Sequence, residues 1–399
     1  MAFAKLWYYA LAIGSLAGTI IGVGMFALPY TALKAGFFLT LLYLAVFGFV
    51  VALTHLLYTE VTLRTNTRHR FTGYVGKYLG PTWKTVTFFQ GLLSLWGTLL
   101  IYTIVAGTFL HLFLPSLLSF ISEAYLGVLF FLISSIVIWR GDQTIGKLEF
   151  LFTLPMVFLI IGLFIISILS SSFSWDILFR IDAGQWIAPY GVTLFALSGF
   201  SVIPILENIL EPARKKGIAI NYPFVVFSGT LIPALLYILF TWGVLGASGF
   251  QTSKDALSGL LSPLGEGVVK IGALLALLAI YTSFIAAGNE LQKTFYEDYR
   301  IKRLRSFIFT LAVPLGLYLF QLRDFVAITE FVGAVMGGYI GVVSVFLFWK
   351  AKKEGDATPP FSLWLPKPLG VLIIAIFIFA SFYAIVDIVS SFLFSPVSN

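Results

Sequence analysis

The chain has 399 residues, of which 59% are hydrophobic and only 11% are charged, with a formal net charge of +7. Because a soluble domain carries roughly 25% charged residues, most of this chain is expected to be surrounded by lipid or by its own apolar side chains. The absence of cysteine excludes disulfides, thiolate metal sites and cysteine nucleophiles, and a count of three histidines disfavours a histidine-based metal centre. The positive charge is expected to lie in cytoplasmic loops and not to bind nucleic acid.

Eleven apolar stretches are long enough to cross a bilayer, whose core of about 30 Å needs about 20 helical residues. They lack the two-residue alternation of a membrane β-barrel, so the predicted fold is an all-α integral membrane protein with 11 transmembrane helices. The first stretch has no small-residue cleavage site and is predicted to be a retained span. The predicted spans run approximately over 7–33, 36–60, 84–112, 123–139, 147–170, 186–209, 218–246, 266–291, 304–321, 324–349 and 369–393.

The basic residues orient these spans. With the N-terminus in the cytoplasm, 20 of the 25 Lys and Arg residues fall on the inner side and five on the outer side. Cytoplasmic loops carry an excess of Lys and Arg. The pattern therefore predicts a multi-pass protein of a plasma (inner) membrane, with its N-terminus inside and its C-terminus outside.

Glycine and proline interrupt two of the spans near mid-membrane. The first span contains GTIIGVG (18–24) followed by Pro29, and the sixth contains SGFS (198–201) followed by Pro204. Such residues weaken a helix, and the freed backbone groups are tolerated only where protein or water surrounds them. One reading is that the small residues merely allow close helix packing. The other reading, favoured by the separation of five spans, is two inverted five-helix repeats with a substrate site between them.

The reading as two inverted repeats divides the chain into a ten-helix core and a C-terminal segment. The ten-helix core is predicted over 1–350, with one repeat at about 7–170 and the other at about 186–350. A cytoplasmic loop and the eleventh transmembrane helix follow over 351–399.

The chemistry of two broken helices suits a zwitterion. The N-terminus of a half-helix presents unpaired N–H groups and partial positive charge, which suit a carboxylate. The C-terminus of a half-helix presents carbonyls, which suit an ammonium group or a small cation. No Lys, Arg, Asp or Glu lies within either break. We therefore expect a neutral amino acid as substrate.

Three segments resemble the amino acid–polyamine–organocation superfamily. They are GTIIGVGMFALPYTALKAGF (18–37), FALSGFSVIPILEN (195–208) and AIYTSFIAAGNELQ (279–292). Their order and spacing are most similar to the amino acid/auxin permease branch and its bacterial aromatic amino acid permease relatives.

The resemblance implies a leucine-transporter-like fold and secondary active transport of amino acids by alternating access, for which a monomer is sufficient. It implies that backbone amides near Gly22, Val23 and Gly24 hold the substrate carboxylate. The other expected substrate-binding residues are Thr19, Phe26, Phe195, Ser198, Gly199 and Phe200. With three phenylalanines among them, the pocket is predicted to be apolar and aromatic. Trp96 and Tyr102 either line the pathway or only pack between helices.

The resemblance also suggests a coupling cation and no other cofactor. In sodium-coupled members the ion lies between the first break and a Thr-Ser pair on the eighth helix. The matching residues here are Gly18 and Ile21, through their carbonyls, with Thr282 and Ser283. Oxygen ligands suit a small hard cation. Alternatively, these hydroxyls bond only to the carbonyl one turn back.

A proton is the rival coupling ion and needs a buried titratable group. Four candidates lie within the spans: Glu207, Glu330, His55 and Asp387. Glu207 is expected to pair with Arg214 or Lys215, and His55 and Asp387 are not expected at the site. Proton-coupled relatives often carry an acidic residue where this chain has Ser198, so sodium is favoured over a proton.

Other functions have weaker support. A metalloprotease needs HExxH, which is absent, and the three histidines are predicted near membrane edges. A channel needs a pore ring, and no filter-like motif occurs. The alternative that stays open is an amino-acid-binding membrane sensor of the same fold.

Overall fold

The computed structural model describes residues 2–114, 120–140 and 145–394, and it is helical throughout most of these ranges. The last five residues of the predicted segment 351–399 lie outside the described residues. The helices are α1 (Ala2–Ile20), α2 (Leu28–Ala35), α3 (Phe37–Leu63), α4 (Phe71–Leu79), α5 (Pro81–Phe113), α6 (Glu123–Arg140), α7 (Ile145–Leu169), α8 (Ala188–Ala196), α9 (Ile203–Lys215), α10 (Tyr222–Ser248), α11 (Leu261–Leu264), α12 (Glu266–Lys293), α13 (Arg303–Leu319), α14 (Phe325–Phe331), α15 (Gly338–Glu354) and α16 (Lys367–Phe394).

Each predicted span contains helix, but not every helix has the length and hydropathy of a membrane span. Within the described ranges eight helices do, and the count reaches nine when the bent pair α1 and α2 is taken as one span. Of the other two predicted spans, α7 has a shorter apolar part, Thr153–Leu169, and α13 has 17 residues and begins with Arg303. The total of 11 spans and the inverted repeat stay predictions.

The first predicted span is broken where its glycines lie. Helix α1 ends at Ile20, and Gly22 is extended, with φ −148° and ψ −161°. A 3₁₀ turn, Val23–Ala27, leads into α2, which has proline in its first turn, where its missing N–H has no intrahelical role. The two parts are bent by 47°.

The sixth predicted span is interrupted less sharply. Helix α8 ends at Ala196, and a 3₁₀ turn, Phe200–Val202, leads into α9. The two helices are continuous enough to form one apolar span, Ala188–Lys215. The break therefore changes the backbone hydrogen bonding more than the direction of the chain.

Glycines let the two breaks lie against each other. A Cβ on Gly24 would lie 2.7 Å from the Cα of Ala196, and a Cβ on Gly199 would lie 2.8 Å from Cγ1 of Ile20. Real Cβ atoms do not approach other atoms so closely. The two interruptions thus form one contact in the middle of the protein, and glycine at 24 and 199 is what permits it.

The loop between α15 and α16, residues 355–366, is tied to the end of α3. The Glu60 side chain is fully buried and accepts hydrogen bonds from Arg64 Nε at 2.7 Å and from the Leu363 N–H at 2.6 Å. In the same loop Asp356 accepts bonds from Lys77 at 2.7 Å and from the Asn66 N–H at 2.8 Å. These two donors hold the pKa of Asp356 below its usual range.

We predict that Glu60→Gln lowers the thermal midpoint of the purified protein, with a loss of about 1–3 kcal/mol in the free energy of unfolding. The N–H of the new amide group would face Arg64 or the Leu363 N–H, both of which now donate to the carboxylate. An unpaired buried polar group costs about 1–3 kcal/mol.

The matched control is Glu354→Gln, because Glu354 is half exposed and pairs with Lys350 at 3.0 Å on the surface of α15. Exposed pairs contribute little to stability. Equal midpoints for the two variants would contradict a structural role for Glu60.

Candidate functional site

The space beside Gly22 distinguishes it from the other glycines of the breaks. A Cβ on Gly22 would have only the Ile20 carbonyl near it, at 3.8 Å, whereas the same atom on Gly18, Gly24 or Gly199 would lie within 3.0 Å of a neighbour. Gly22 precedes the 3₁₀ turn Val23–Ala27, and the first N–H groups of a helix have no intrahelical acceptor. The first break therefore places the N-terminus of a helical turn next to open space, and the Gly22 backbone is hydrogen-bonded to the Tyr237 side chain.

The predicted aromatic residues occupy different surroundings. The ring of Phe26 is 1% exposed and meets Phe109 and Phe240 edge-on, with ring centroids 4.9 and 5.6 Å away. Phe195 is half-buried, and its ring lies against Gly24. Phe200 is half-buried on the second break. Phe195 is thus the phenylalanine at the contact between the two breaks, and Phe26 packs the first break against α5 and α10.

Two predicted polar residues do not point to the space beside Gly22. The Thr19 hydroxyl donates to the Ser15 carbonyl at 3.0 Å within α1. The exposed Ser198 lines a separate cavity of ≈ 10 Å³. The other residues of that cavity come from α3, α8, the second break, α15, α16 and the π-helical turn before α15: Val51, Thr54, Leu194, Phe200, Gly337, Gly341 and Phe377.

The four predicted cation ligands line one cavity between α1, α7 and α12. Its volume is ≈ 10 Å³, which is about the room that one water-sized particle needs. Gly18, Ile21, Thr282 and Ser283 all border it, together with Thr153, Met156 and Ala279, which the sequence analysis did not single out. The cavity thus joins the first break to α12.

The donors around this cavity are neutral oxygens. Thr282 donates its hydroxyl proton to the Ala279 carbonyl at 2.9 Å, as the helical alternative predicts. Its oxygen nevertheless keeps lone pairs, so the bond does not exclude a cation. In the part of the chain that the structure describes, no three His, Asp or Glu side chains come together as a metal site. Any cation here would be held by carbonyl and hydroxyl oxygens.

A residue missed by sequence reasoning connects the breaks. Tyr237 of α10 is fully buried, and its hydroxyl lies 2.5 Å from the Ile20 carbonyl and 3.3 Å from the Ala196 carbonyl. These are the last residues of α1 and α8. Tyr237 sits 217 residues from Ile20 in an unremarkable apolar helix, so no local sequence signal identifies it.

One of the four candidate titratable groups, His55, lies at the second break, where the sequence did not predict it. His55 is fully buried, and its ring lies 4.5 Å from the ring of Phe200, so it does touch the second break. Its Nδ1 is 3.0 Å from the Thr230 hydroxyl, whose proton goes to the Val226 carbonyl. Nδ1 is therefore the donor, and Nε2 keeps a lone pair.

The other candidates lie away from the space beside Gly22. Glu207 pairs with Arg214 at 2.8 Å, as expected, and also accepts a bond from Tyr222 at 2.7 Å. Glu330 is the penultimate residue of α14, with Oε1 buried and without a partner among the described residues. Asp387 is exposed on α16.

Trp96 has a packing role. Its indole N–H donates to the Phe309 carbonyl of α13 at 3.0 Å, which fixes the ring between two helices. Tyr102 is half-buried on the same helix, α5.

Comparison with known proteins agrees with this architecture. A model of the tryptophan/tyrosine permease family matches residues 9–384. The tyrosine-specific transport system 1 of Haemophilus influenzae is 26% identical over 387 residues, which cover 90% of this chain and 94% of that protein. The tryptophan-specific transport protein of Shigella flexneri is 24% identical and covers 96% of this chain and 95% of its own length. Glutamine transporter 2 of Aliivibrio fischeri is 24% identical, with coverage of 83% and 84%.

A solved structure shares the fold. The crystal structure of MhsT in complex with L-phenylalanine matches with a TM-score of 0.59 at 18% identity, over 96% of this chain and 98% of that chain. MhsT has the leucine-transporter-like fold. The relatives are transport proteins and not enzymes. The chain belongs to the tryptophan/tyrosine permease family, whose members are membrane proteins that transport amino acids.

Proposed function

We propose that this protein is a secondary active transporter of neutral amino acids with aromatic or other large apolar side chains, working by cation-coupled symport and alternating access. The observation that carries the proposal is the contact between the two helix breaks, with open space beside Gly22 where the turn Val23–Ala27 begins. The amides of Gly22, Val23 and Gly24 hold the substrate carboxylate. The carbonyl ends of α1 and α8 face its ammonium group.

The substrate class follows from what surrounds the breaks. Neither break contains a charged side chain, so a charged substrate side chain would lack a counter-charge. Phe195, whose ring lies against Gly24, offers apolar contact. The amino acids in the printed names of the relatives are tyrosine, tryptophan and glutamine, and the MhsT structure contains L-phenylalanine. All four are neutral, which supports the same class here.

Sodium is the coupling ion that we favour. The cavity between α1 and α12 presents carbonyl and hydroxyl oxygens and no carboxylate. Such ligands suit a hard monovalent cation. A proton is the second candidate, because the Nε2 lone pair of His55 lies beside the second break. The predicted orientation, with the N-terminus inside a plasma membrane, belongs to the same proposal.

Removing the hydroxyls of α12 tests the cation site. In the wild-type protein we expect a neutral aromatic amino acid to raise the thermal midpoint more in sodium than in potassium, since a ligand at a hundredfold excess over its Kd stabilises by about 2.7 kcal/mol. The double change Thr282→Ala and Ser283→Ala should remove the difference between the two salts.

The control is Ser306→Ala with Thr310→Ala, two buried hydroxyls of α13 that donate to backbone carbonyls earlier in the chain, as Thr282 does. That variant should keep the sodium effect. A sodium effect that persists in the variant with Thr282→Ala and Ser283→Ala would place the ion elsewhere. A shift that depends on acid pH and ignores sodium supports the proton.

A pair of glycine variants tests the substrate site. Gly22→Ala should leave the midpoint of the free protein almost unchanged, because its backbone is extended and space is open. It should weaken amino acid binding by roughly tenfold or more, because the methyl group enters the space assigned to the substrate. Gly24→Ala should instead destabilise the free protein by about 1–3 kcal/mol through overpacking against Ala196.

Both variants are measured by thermal unfolding with and without the amino acid. Unchanged binding in a folded Gly22→Ala protein would remove the substrate from the first break.

A further inference from the structure

A group of basic side chains lies where the end of α6 meets the start of α13. Arg300, Lys302 and Arg305 lie at or just before the first turn of α13, and all three are exposed. Arg140, also exposed, is the last residue of α6. In the ranges that the structure describes, none of these four side chains forms an ion pair with a carboxylate. We call the four residues the basic edge.

Arg303 fixes the two helices to each other at this edge. Its guanidinium group donates to the Trp139 carbonyl and lies over the Trp139 ring, 5.2 Å from the ring centroid. The same ring meets the ring of Phe307 edge-on, with centroids 5.1 Å apart. Because Trp139 directly precedes Arg140, these contacts gather the side chains of the basic edge around one fixed point.

The backbone at Arg300 is strained. Its φ of 52° lies in the left-handed region, which glycine adopts freely and asparagine tolerates, but which is unfavourable for a long side chain. The turn is closed by the Ile301 N–H, which donates to the Phe295 carbonyl at 3.0 Å. An exposed arginine at a strained position is explained better by a role for its charge than by packing.

An apolar face continues from the basic edge along α13. Leu304 and Ile308 are four residues apart, so they share one face of the helix, and they are 58% and 49% exposed. Trp139 is 41% exposed, and tryptophan is enriched where a membrane meets water. The predicted spans 123–139 and 304–321 both end at this level. The surface therefore presents positive charge beside an apolar face, at the expected level of the lipid headgroups.

We propose that the basic edge is a binding site for an anionic phospholipid, whose phosphate group lies between Arg140 and the start of α13 and whose acyl chain lies along Leu304 and Ile308. Lys and Arg residues at a membrane surface attract anionic headgroups. A soluble anion would leave the apolar face unused, which favours a lipid. The site goes beyond the proposed transport, and its tests need neither an amino acid nor a cation gradient.

The first test removes two charges of the basic edge from the full-length protein. Native mass spectrometry measures lipid binding while dioleoyl phosphatidylglycerol, or the zwitterionic dioleoyl phosphatidylcholine, is added to the protein in detergent. The wild-type protein should bind phosphatidylglycerol more tightly than phosphatidylcholine. Lys302→Gln with Arg305→Gln should weaken phosphatidylglycerol binding roughly 25-fold, because each basic residue near an anionic surface contributes about fivefold.

The matched control is Arg214→Gln with Lys215→Gln, which removes the same charge from α9. These two side chains already pair with Glu207 and Glu211, at 2.8 and 2.9 Å. They should therefore contribute little to lipid binding, and this double variant should bind phosphatidylglycerol as the wild type does. Equal losses in the two double variants, or no preference for phosphatidylglycerol in the wild type, would overturn the inference.

Arg300→Asn separates the charge from the fold. Asparagine tolerates the left-handed conformation better than arginine does, so the thermal midpoint of the protein without added lipid should stay the same or rise. Phosphatidylglycerol binding should weaken about fivefold. A lower midpoint with unchanged lipid binding would give Arg300 a structural role and contradict the site. Glycerol phosphate is the last comparison: if it displaces bound phosphatidylglycerol at equal concentration, the basic edge binds soluble anions and the lipid proposal is wrong.

Discussion

The hydrocarbon interior of a membrane does not tolerate unpaired backbone groups, yet two helices of this protein stop within it. The packing around the two breaks shields these backbone groups from lipid or gives them hydrogen-bond partners. The ends of α1 and α8 lie against each other, so neither faces lipid. Tyr237 reaches across from α10 to their carbonyls, and the next helical turn, Val23–Ala27, begins beside the open space at Gly22. Groups that would destabilise an ordinary membrane helix are the ones to which we assign substrate binding.

The contact between the breaks also links the sites that we propose for substrate and cation. The carbonyls assigned to the cation belong to Gly18 and Ile21, and Tyr237 binds the carbonyl between them, at Ile20. The amides assigned to the substrate begin at Gly22, the residue after Ile21. Any change in the backbone between 18 and 24 therefore alters both sites. Coupling between two ligands is reciprocal, and a shared stretch of backbone of seven residues or fewer is a direct physical route for it.

Sequence reasoning predicts features whose cause is local. Glycine at Gly22 and proline at Pro29 and Pro204 weaken a helix wherever they occur, so the interruptions of the first and sixth spans were foreseeable. The degree of bending was not, because the same kind of interruption gives a 47° bend in one span and a nearly continuous second span. Bending depends on which helices pack on either side.

Features that depend on distant residues could not be predicted. His55 was expected near a membrane edge, away from the site, but the packing of α3 against the second break brings its ring to Phe200. Glu60 was unremarkable in the sequence, and besides Arg64 its buried carboxylate binds a loop residue 303 positions further along the chain. The roles assigned to Thr282 and Ser283 came from a resemblance and stay a proposal, although the structure places both residues at one cavity.

A site built from backbone dipoles has an advantage over one built from charged side chains. A buried Lys or Asp would need a partner whenever the substrate is absent, because an isolated charge within the membrane is costly. Amides and carbonyls carry only partial charges, so they need no compensating ion when no substrate is bound. A tyrosine hydroxyl at the carbonyl ends extends the same principle. It donates to the Ile20 carbonyl and lies near the Ala196 carbonyl without adding a formal charge to the membrane interior.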